Sequence, residues 1–348
     1  MTARTLAEPD DDGVQPLCYS PQAMRAARTV ELSGPEGLRV EDVPSPVPGP
    51  DEIRVKVKAT ALNRADLLQT MGLYPAPPGV PADIPGLEYA GEVVQVGARV
   101  TRWKTGDRVM GLVGGGAWAE ELTTHEREAL AIPAGLSFSD AAAIPEAFTT
   151  AWDALVLQGG MTVGSQVLIH AVASGVGTAA IQLCKAFGAH AIGTGRNEKK
   201  LERAKSLGLP QALLVKGPPF ADEVKSASGG GVDLVLDLVG GDWVPETLDA
   251  MKPGGTLMLV GLVAGASADV PLRTVLGKRL RIQGTTLRAR SLEEKISVAR
   301  EFEKRVAPLF SSGQLKPVID ALLPMTELQG ALARLASNDT FGKLVLTW

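Results

Sequence analysis

The chain has 348 residues, 45% of them hydrophobic, and a formal net charge of −4 at pH 7. This length predicts about two domains, and the hydrophobic share together with 39 glycines is typical of a packed α/β protein. The slightly acidic balance argues against nucleic-acid binding, and no apolar run approaches the roughly 20 residues of a membrane span. The two cysteines, Cys18 and Cys184, give no disulfide framework and favour a reducing, cytoplasmic location.

The N-terminal segment differs in composition from the rest of the chain. Residues 1–23 contain the acidic turn Pro9–Gly13 and lack the basic and apolar regions of a signal peptide, so we expect a disordered extension with folding from Met24. From there to about residue 131, short segments such as Ile53–Ala59 and Gly91–Gly97 alternate apolar and polar residues between Pro and Gly turns. This pattern predicts antiparallel strands.

After Pro145 the pattern changes to strands that alternate with helices. The predicted strands lie at residues 167–169, 191–194, 213–215, 232–238, 256–260 and 281–284. Six such strands predict a doubly wound parallel sheet. The chain then continues through a predicted helix over Leu292–Leu309 and a final strand over Lys343–Thr347, which we expect to complete the first, β-rich domain.

The connection after the first of these parallel strands is typical of a dinucleotide site. The apolar run Val167–Ile169 predicts a buried strand, and residues 178–187 predict a helix that ends at Gly188. Small residues over Ser174–Gly177 allow the backbone to approach a phosphate, which the first N–H groups of the helix can bind. The G-x-G-x-x-G pattern keeps only its third glycine, Gly177, so a tight turn without a ligand is the alternative interpretation.

The next strand indicates which dinucleotide is bound. NAD sites usually carry an acidic residue there, about 20 positions after the turn, whereas this strand leads into Gly195 and Arg196 without a carboxylate. Gly195 leaves room for a 2′-phosphate, and Arg196 with Lys200 can supply charge-assisted hydrogen bonds to it. We therefore expect NADPH rather than NADH. The alternative is that these cations only solvate the start of a helix.

From Met24 to Trp348 the sequence resembles the medium-chain dehydrogenases/reductases. The motifs that carry this resemblance are Pro85–Gly91, Gly106–Val109, Ala143–Ala147 and Ser174–Gly177. Residues 61–67 and Gly72–Tyr74 are similar to the zinc-independent NADPH:quinone oxidoreductases, especially the p53-inducible quinone reductase type. The resemblance implies an α/β protein with a GroES-like β-rich catalytic domain over residues 24–146 and 285–348, and a doubly wound Rossmann NADPH-binding domain over residues 147–284.

Zinc-dependent members of this family hold the metal with a cysteine, a histidine and a third cysteine or acidic residue. The corresponding positions here are Asn63, Leu87 and Glu146. Leucine cannot bind a metal, and an amide is a poor zinc ligand, so no metal is predicted. Without a Lewis acid to stabilise an alkoxide, we expect an acceptor that is already electrophilic, and the resemblance implies hydride transfer from NADPH to a quinone.

Two side chains are the candidate catalytic residues. Asn63 can hydrogen-bond a carbonyl oxygen of the acceptor, although it is equally suited to cap a helix over residues 65–70. Tyr74 can stack on the acceptor or donate a proton, because a phenol is protonated at neutral pH. Its alternative role is to pack against Pro75–Pro78.

The resemblance adds further cofactor contacts to those at the turn. The complete candidate cofactor-binding set is Asn63, Thr150, Ser174, Gly175, Val176, Gly177, Gly195, Arg196, Lys200, Gly261, Leu262, Leu287, Arg288 and Lys343. For Arg288, a surface salt bridge is the alternative role. The third Rossmann strand ends in Leu214–Lys216 where this group commonly has Asn-Tyr-Lys, and we expect Arg196 to compensate for the missing tyrosine.

Two further functions remain open. Related zinc-free enzymes place a tyrosine at the position of Tyr74 as proton donor, so reduction of an activated C=C bond in an enal, enone or enoyl thioester fits equally well. The third possibility is a non-catalytic NADPH-binding protein. By resemblance we also expect a homodimer that pairs through an edge of the cofactor sheet, with the apolar run Leu257–Leu262 as the candidate seam.

Overall fold

A computed structural model describes residues 19–348, with side chains from Gln22 onwards, in two compact units. The first unit contains residues 19–146, 288–311 and 319–348, and the second contains residues 147–287 and 312–318. Residues 1–18 of the predicted N-terminal extension, with Cys18, lie outside the described residues. The first strand begins at Tyr19, ahead of Met24, where folding was expected to begin.

The first unit is built mainly from short strands. Its elements are β1 (Tyr19–Thr29), β2 (Leu38–Pro46), β3 (Glu52–Ala61), α1 (Arg64–Thr70), β4 (Glu88–Val96), β5 (Arg108–Leu112), β6 (Glu121–His125), β7 (Leu130–Ala131), α2 (Phe138–Ala142), α9 (Leu292–Arg305), α10 (Ala307–Ser311), β14 (Ile319–Pro324), α11 (Leu328–Ala336) and β15 (Lys343–Thr347). The single helix predicted over residues 292–309 is two helices, interrupted at Val306.

Most of these strands form one mixed sheet in the order β14-β15-β3-β4-β5-β7, with β6 also paired to β3, and β1 and β2 form a separate antiparallel ribbon. The predicted alternation is visible in β3, where Ile53, Val55 and Val57 are buried in one core cluster. The C-terminal strand β15 lies inside the sheet, parallel to β14 and antiparallel to β3. The last strand of the sequence therefore lies in the same unit as β1 to β7.

The second unit alternates strands and helices. Its elements are most of α3 (Pro145–Trp152), a π-helical segment (Asp153–Gln158), β8 (Gln166–Ile169), α4 (Gly175–Ala186), β9 (His190–Gly195), α5 (Glu198–Ser206), β10 (Gln211–Leu214), α6 (Ala221–Ser228), β11 (Val232–Asp237), α7 (Trp243–Ala250), β12 (Met251–Leu259), α8 (Leu272–Lys278) and β13 (Arg281–Gly284).

The six strands of this unit form a parallel sheet in the order β10-β9-β8-β11-β12-β13. This is the doubly wound order, and it confirms the predicted fold class. Ligands in such sheets bind beyond the carboxyl ends of the strands. The ends of β8 and β9, which are neighbours, therefore bring the predicted turn and the predicted phosphate-binding residues to the same edge.

Two details of the domain organisation differ from the sequence-based expectation. Residues 285–287 belong to the second unit, so the chain returns to the first unit at Arg288. Residues 312–318 also belong to the second unit, where the Gln182 amide exchanges two hydrogen bonds with the backbone of Lys316. None of the helices within residues 19–348 is long and apolar enough to cross a membrane.

Candidate functional site

Asn63 lies in the first unit between β3 and α1, as the residue that precedes the helix. Its side-chain nitrogen donates to the carboxylate of Glu88 at 2.9 Å and to the carbonyl of Ala61 at 3.3 Å. Its side-chain oxygen accepts from the ammonium of Lys343 at 2.5 Å. Because an ammonium only donates and a carboxylate only accepts, these partners determine which way the amide points. Asn63 therefore precedes the helix that it was predicted to cap. Both N–H groups of its side-chain amide already have acceptors within the first unit.

Lys343 and Glu88 form a buried ion pair beneath Asn63. The ammonium nitrogen lies 2.7 Å from Glu88 Oε1, and the two side chains are 5% and 0% exposed. The same ammonium donates to the carbonyl of Leu62 at 2.9 Å, so its three N–H groups have three acceptors. The other oxygen of Glu88 accepts from the backbone N–H of Glu146 at 2.8 Å. Two of the three positions that correspond to zinc ligands in related enzymes, Asn63 and Glu146, are thus linked through Glu88, which is paired with Lys343.

The donor chemistry of this network does not suit a metal ion. Leu87 is buried and cannot be a ligand, while the oxygens of Asn63 and Glu88 already surround the positive charge of Lys343. Within residues 19–348, no group of three or more His, Cys, Asp and Glu side chains is arranged to hold a metal. The side chains at this site are therefore arranged to bind the ammonium group of Lys343 rather than a metal ion.

Asp66 is a second buried carboxyl group beside this network. One of its oxygens accepts from the backbone N–H of Asn63 at 2.8 Å, and the other has no hydrogen-bond partner in the described part of the chain. Burial raises the pKa of Asp66 to about 7, against the opposing influence of that hydrogen bond and of Lys343. This carboxyl group therefore titrates close to neutral pH.

Tyr74 lies in the loop between α1 and β4, next to Arg288. The guanidinium carbon of Arg288 is 5.0 Å from the centre of the phenol ring, and its Nη1 donates to the Tyr74 carbonyl at 3.1 Å. Burial raises the pKa of Tyr74, which keeps the phenol protonated at neutral pH. The structure therefore brings the four predicted residues of the first unit together in two pairs, Asn63 with Lys343 and Tyr74 with Arg288.

The predicted dinucleotide turn in the second unit connects β8 to α4. Ser174 caps the helix, since its hydroxyl oxygen accepts from the N–H of Gly177 at 3.0 Å. The amides of Gly175 and Val176, the next two residues, have no acceptor inside the helix and remain available to an anion. A Cβ on Gly177 would lie 2.5 Å from the carbonyl oxygen of Ala171, so only glycine permits this close packing of helix on turn.

The residues predicted to select NADPH follow β9. Gly195 is its last residue, and Arg196 is exposed directly after it. Lys200 lies in the first turn of α5, where its backbone N–H donates to the side chain of Asn197 at 3.2 Å. A Cβ on Gly195 would approach Leu201 to 2.9 Å, so packing in the unit also favours glycine there.

The remaining predicted cofactor residues occupy other parts of the second unit. Gly261 and Leu262 follow β12, and a Cβ on Gly261 would lie 2.6 Å from the carbonyl oxygen of Leu238. Leu287 follows β13 and is half-buried, whereas Thr150 is buried within α3. The carboxyl ends of β8, β9, β12 and β13 share one edge of the parallel sheet. All predicted cofactor residues of the second unit except Thr150 therefore lie at this edge or just beyond it.

Sequence analysis missed several residues that organise these sites. In the first unit these are Asp66, Glu88, which pairs with Lys343 and Asn63, and Gln69, which accepts from Arg288. In the second unit, buried His170 bridges Thr194 and Thr247 at 2.9 Å each, directly before the dinucleotide turn. The hydroxyl of Thr247 already donates to a backbone carbonyl, so it accepts from His170 Nε2. A histidine that follows a buried apolar strand is a signal that could have identified this position.

Comparison with known families identifies the class of protein. Residues 49–134 match the alcohol dehydrogenase GroES-like domain, and residues 175–304 match the family described as zinc-binding dehydrogenase. Together with the two folds described above, these matches show that the chain belongs to the medium-chain dehydrogenase/reductase superfamily. Members of this superfamily are oxidoreductases that use a nicotinamide cofactor.

Individual relatives carry two kinds of names. The quinone oxidoreductase-like protein 2 homolog of Nematostella vectensis is 32% identical, with 93% of this chain and 89% of the relative aligned. The synaptic vesicle membrane protein VAT-1 homolog-like of Homo sapiens is 31% identical over 93% of this chain and 81% of its own length.

Two solved structures are also similar. The quinone oxidoreductase of Pseudomonas syringae pv. Tomato DC3000 is 29% identical, with a TM-score of 0.84 over 93% of this chain and 100% of that chain. The CurK enoyl reductase is 27% identical, with a TM-score of 0.82 over 93% of this chain and 99% of that chain. The relatives therefore include both quinone and enoyl reductases as well as VAT-1 homologues.

Proposed function

We propose that this protein is a zinc-independent reductase that transfers a hydride from NADPH to a quinone, in the quinone oxidoreductase branch of its superfamily. The observation that carries the proposal is the network of Lys343 with Glu88 and Asn63. It places the positive charge of Lys343 against Asn63, which occupies the position of a zinc ligand, and against the adjacent carboxylate of Glu88. A quinone requires little activation, because accepting a hydride makes its ring aromatic. Orientation of the two reactants can then supply most of the rate.

The second unit offers a suitable site for the cofactor. The free amides of Gly175 and Val176 would hold the pyrophosphate, and Arg196 with Lys200 would hold the 2′-phosphate. When bound, NADPH supplies the hydride. In the first unit, the packed network around Asn63 keeps that side chain in one orientation.

Tyr74 is the proposed proton donor. Its half-buried phenol stays protonated at neutral pH, because burial raises its pKa. After the acceptor has gained a hydride and become an anion, the Tyr74 O–H bond breaks and its proton passes to that anion. The phenolate then recovers a proton from water. Among the two predicted catalytic residues, Tyr74 suits this step better, because the N–H groups of Asn63 already have acceptors.

A protonated Tyr74 also favours a second candidate function, reduction of an activated C=C bond. That reaction needs a proton at carbon in addition to the hydride, and the 27% identical CurK enoyl reductase has the same fold. Stopped-flow oxidation of NADPH with an ortho-quinone, a para-quinone, crotonaldehyde and crotonyl-CoA distinguishes the candidates. We expect quinones to react fastest. Faster reduction of the alkenes would support the second function, and binding of NADPH without any reduction would support a non-catalytic role.

Substitution of Tyr74 separates the same two chemistries. The Tyr74→Phe variant keeps the ring beside Arg288 and removes only the proton. We expect alkene reduction to fall by about 100-fold, a typical contribution of a general acid, and quinone reduction to fall only modestly. Equal losses for both acceptors would contradict this division of roles.

The preference for NADPH can be tested on the second unit. The double variant Arg196→Ala/Lys200→Ala should weaken NADPH by about 100-fold, since two charge-assisted hydrogen bonds are removed, and should hardly affect NADH. The matched control is Arg203→Ala/Lys205→Ala, which removes two charges from the last turn of the same helix. Fluorescence titration of both dinucleotides measures these affinities. Equal binding of NADH and NADPH by the unmodified protein would refute the proposal.

We also propose a homodimer, with a different seam from the one expected. Residues 257–262 begin in β12, which is paired on both sides, whereas β13 is the edge strand of the sheet. Leu276 on α8 and Ile282 on β13 are 80% and 42% exposed in one subunit. Leu276→Glu should therefore convert the dimer to a monomer in light scattering after size exclusion. A monomeric unmodified protein would overturn this proposal.

A further inference from the structure

Arg288 is a buried arginine that donates hydrogen bonds to three residues of the first unit. Only 8% of its surface is exposed. Its Nε donates to the carbonyl of Gly114 at 2.7 Å, its Nη1 to the carbonyl of Tyr74 at 3.1 Å, and its Nη2 to the side chain of Gln69. These three acceptors come from separate segments of the chain. A guanidinium group has a rigid, planar set of donors, so it holds the three segments in a fixed arrangement.

The segment that contains Tyr74 depends on such external contacts. Residues 71–87 form no helix or strand, so no regular ladder of backbone hydrogen bonds holds them. Gln69 connects Arg288 to the far end of this loop, because its amide nitrogen donates to the carbonyl of Ala82 at 3.1 Å. Arg288 therefore reaches the loop at Tyr74 directly and at Ala82 through Gln69.

The side chain of Tyr74 is restrained as well as its backbone. Its ring lies against the guanidinium group, with 5.0 Å between the Arg288 carbon and the ring centre, a distance at which the positive charge attracts the ring face. The charged neighbours of Tyr74 are Arg288 and Glu146, and those of Arg288 are Asp66, Glu146 and Tyr74 itself. The positive charge of Arg288 opposes the rise that burial causes in the pKa of Tyr74.

We propose that Arg288 is a positioning residue that holds the Tyr74 ring in the orientation from which its hydroxyl donates a proton. This inference rests on the proposed role of Tyr74. It assigns to Arg288 a task within the first unit in place of the predicted contact with NADPH. Arg288 differs from the arginines that form ion pairs on the surface, because its three acceptors are a side-chain amide and two backbone carbonyls.

A double-mutant cycle with Tyr74 provides the kinetic test. Arg288→Gln should lower kcat for crotonyl-CoA by about tenfold in the unmodified background, since a misplaced acid loses part of its contribution, and leave KM for NADPH within about twofold. In the Tyr74→Phe background the same change should have little further effect. Arg288→Lys retains the charge without the three-pronged geometry and should recover only part of the rate.

Arg300→Gln is the matched control. Arg300 is a half-buried arginine of the first unit that, like Arg288, donates to a backbone carbonyl, that of Ala129, at 2.7 Å, and it also pairs with Glu303. Its removal should leave the rate of alkene reduction within about twofold of the unmodified protein. An equal loss of kcat in Arg300→Gln and Arg288→Gln would mean that both act through general stability, and would overturn the inference.

A spectroscopic readout tests the placement of the ring without turnover. The sequence has three tyrosines, so labelling with ¹³Cζ-tyrosine gives three NMR signals, and Tyr74→Phe identifies the one from Tyr74. Arg288→Gln should shift that signal at neutral pH and raise the pKa at which it titrates, while the signal of buried Tyr89 should stay unchanged. An unshifted Tyr74 signal overturns the inference.

The possible failures are distinguishable. If Arg288→Gln lowers kcat equally in the unmodified and the Tyr74→Phe backgrounds, the positioning role of Arg288 is wrong and the proposed function is unaffected. If Tyr74→Phe leaves alkene and quinone reduction unchanged, Tyr74 is not the proton donor, and the inference is overturned together with that part of the proposed function.

Discussion

Replacing Lys343 by methionine tests the network on which the proposed function rests. Methionine has a similar length and no charge, so it removes the ammonium while filling most of its space. Three acceptors lose their donor at once, the carbonyl of Leu62 at 2.9 Å, Asn63 Oδ1 at 2.5 Å and Glu88 Oε1 at 2.7 Å. The Glu88 carboxylate, which is fully buried, then has no countercharge.

The expected cost follows from that unpaired charge. Breaking a buried ion pair by removing one partner reduces stability by about 3–5 kcal/mol. For a domain of this size, each kcal/mol lowers the melting temperature by about 2–4 °C, so Lys343→Met should lower the transition of the first unit by roughly 6–20 °C. Differential scanning calorimetry of the cofactor-free protein measures this directly.

Two further variants make this prediction specific. Lys304→Met removes an exposed lysine from α9 of the same unit and should cost less than about 0.5 kcal/mol. The double variant Lys343→Met/Glu88→Gln removes both charges and should recover at least about 2 kcal/mol of the loss, because no uncompensated carboxylate remains. If Lys343→Met melts within a degree of Lys304→Met, the ion pair is not a structural element of the site and the reasoning fails.

Four other predictions concern the pH dependence of each unit, the dinucleotide turn and the metal content. Burial lowers the pKa of His170 from 6.5 to about 4, so between these pH values the unfolded chain binds more protons than the folded one. The second unit should therefore lose up to about 3 kcal/mol of stability as the pH falls through this range. Calorimetry of His170→Gln should show a weaker pH dependence. Burial raises the pKa of Asp66 to about 7, so the first unit should instead lose stability as pH rises from 4 to 7, and Asp66→Asn should abolish this loss. Gly177→Ala should weaken NADPH at least about tenfold in fluorescence titration, because its Cβ would lie 2.5 Å from a backbone oxygen, whereas Gly277→Ala, with open space around it, should bind normally. Protein purified without chelators should contain no stoichiometric zinc by elemental analysis, and treatment with EDTA should leave turnover unchanged; zinc whose removal abolishes activity would overturn the proposed function.

Much of the fold was predictable because local patterns determine it. The strand over residues 281–284 was predicted with its observed bounds, and the period of two correctly identified β3. The errors lie where local and tertiary signals conflict. Strand β12 begins at Met251, ahead of the predicted start at Thr256, although its first half contains Pro253 and two glycines, residues that are typical of turns. The pairing of β11 with β12 is irregular at this place, which accommodates those residues.

The site was less predictable because its contacts join distant parts of the chain. The candidates Asn63 and Tyr74 were recognised from short motifs, but their partners Lys343 and Arg288 were predicted to contact the cofactor. Lys343 reaches Asn63 only because β15 pairs with β3 in the sheet order, and no local pattern encodes that pairing. Hydrogen-bond partners of this kind depend on tertiary structure alone.

The late position of Lys343 has a consequence for synthesis of the protein. Lys343 follows Asn63 by 280 residues, so at about 5–20 residues per second a ribosome makes the lysine roughly 15–60 s after the asparagine. During that interval the Glu88 carboxylate has no counter-ion and resists withdrawal from water. The Rossmann sheet, whose strands are contiguous in sequence, is complete earlier in translation, which favours maturation of the nascent chain from its middle outwards.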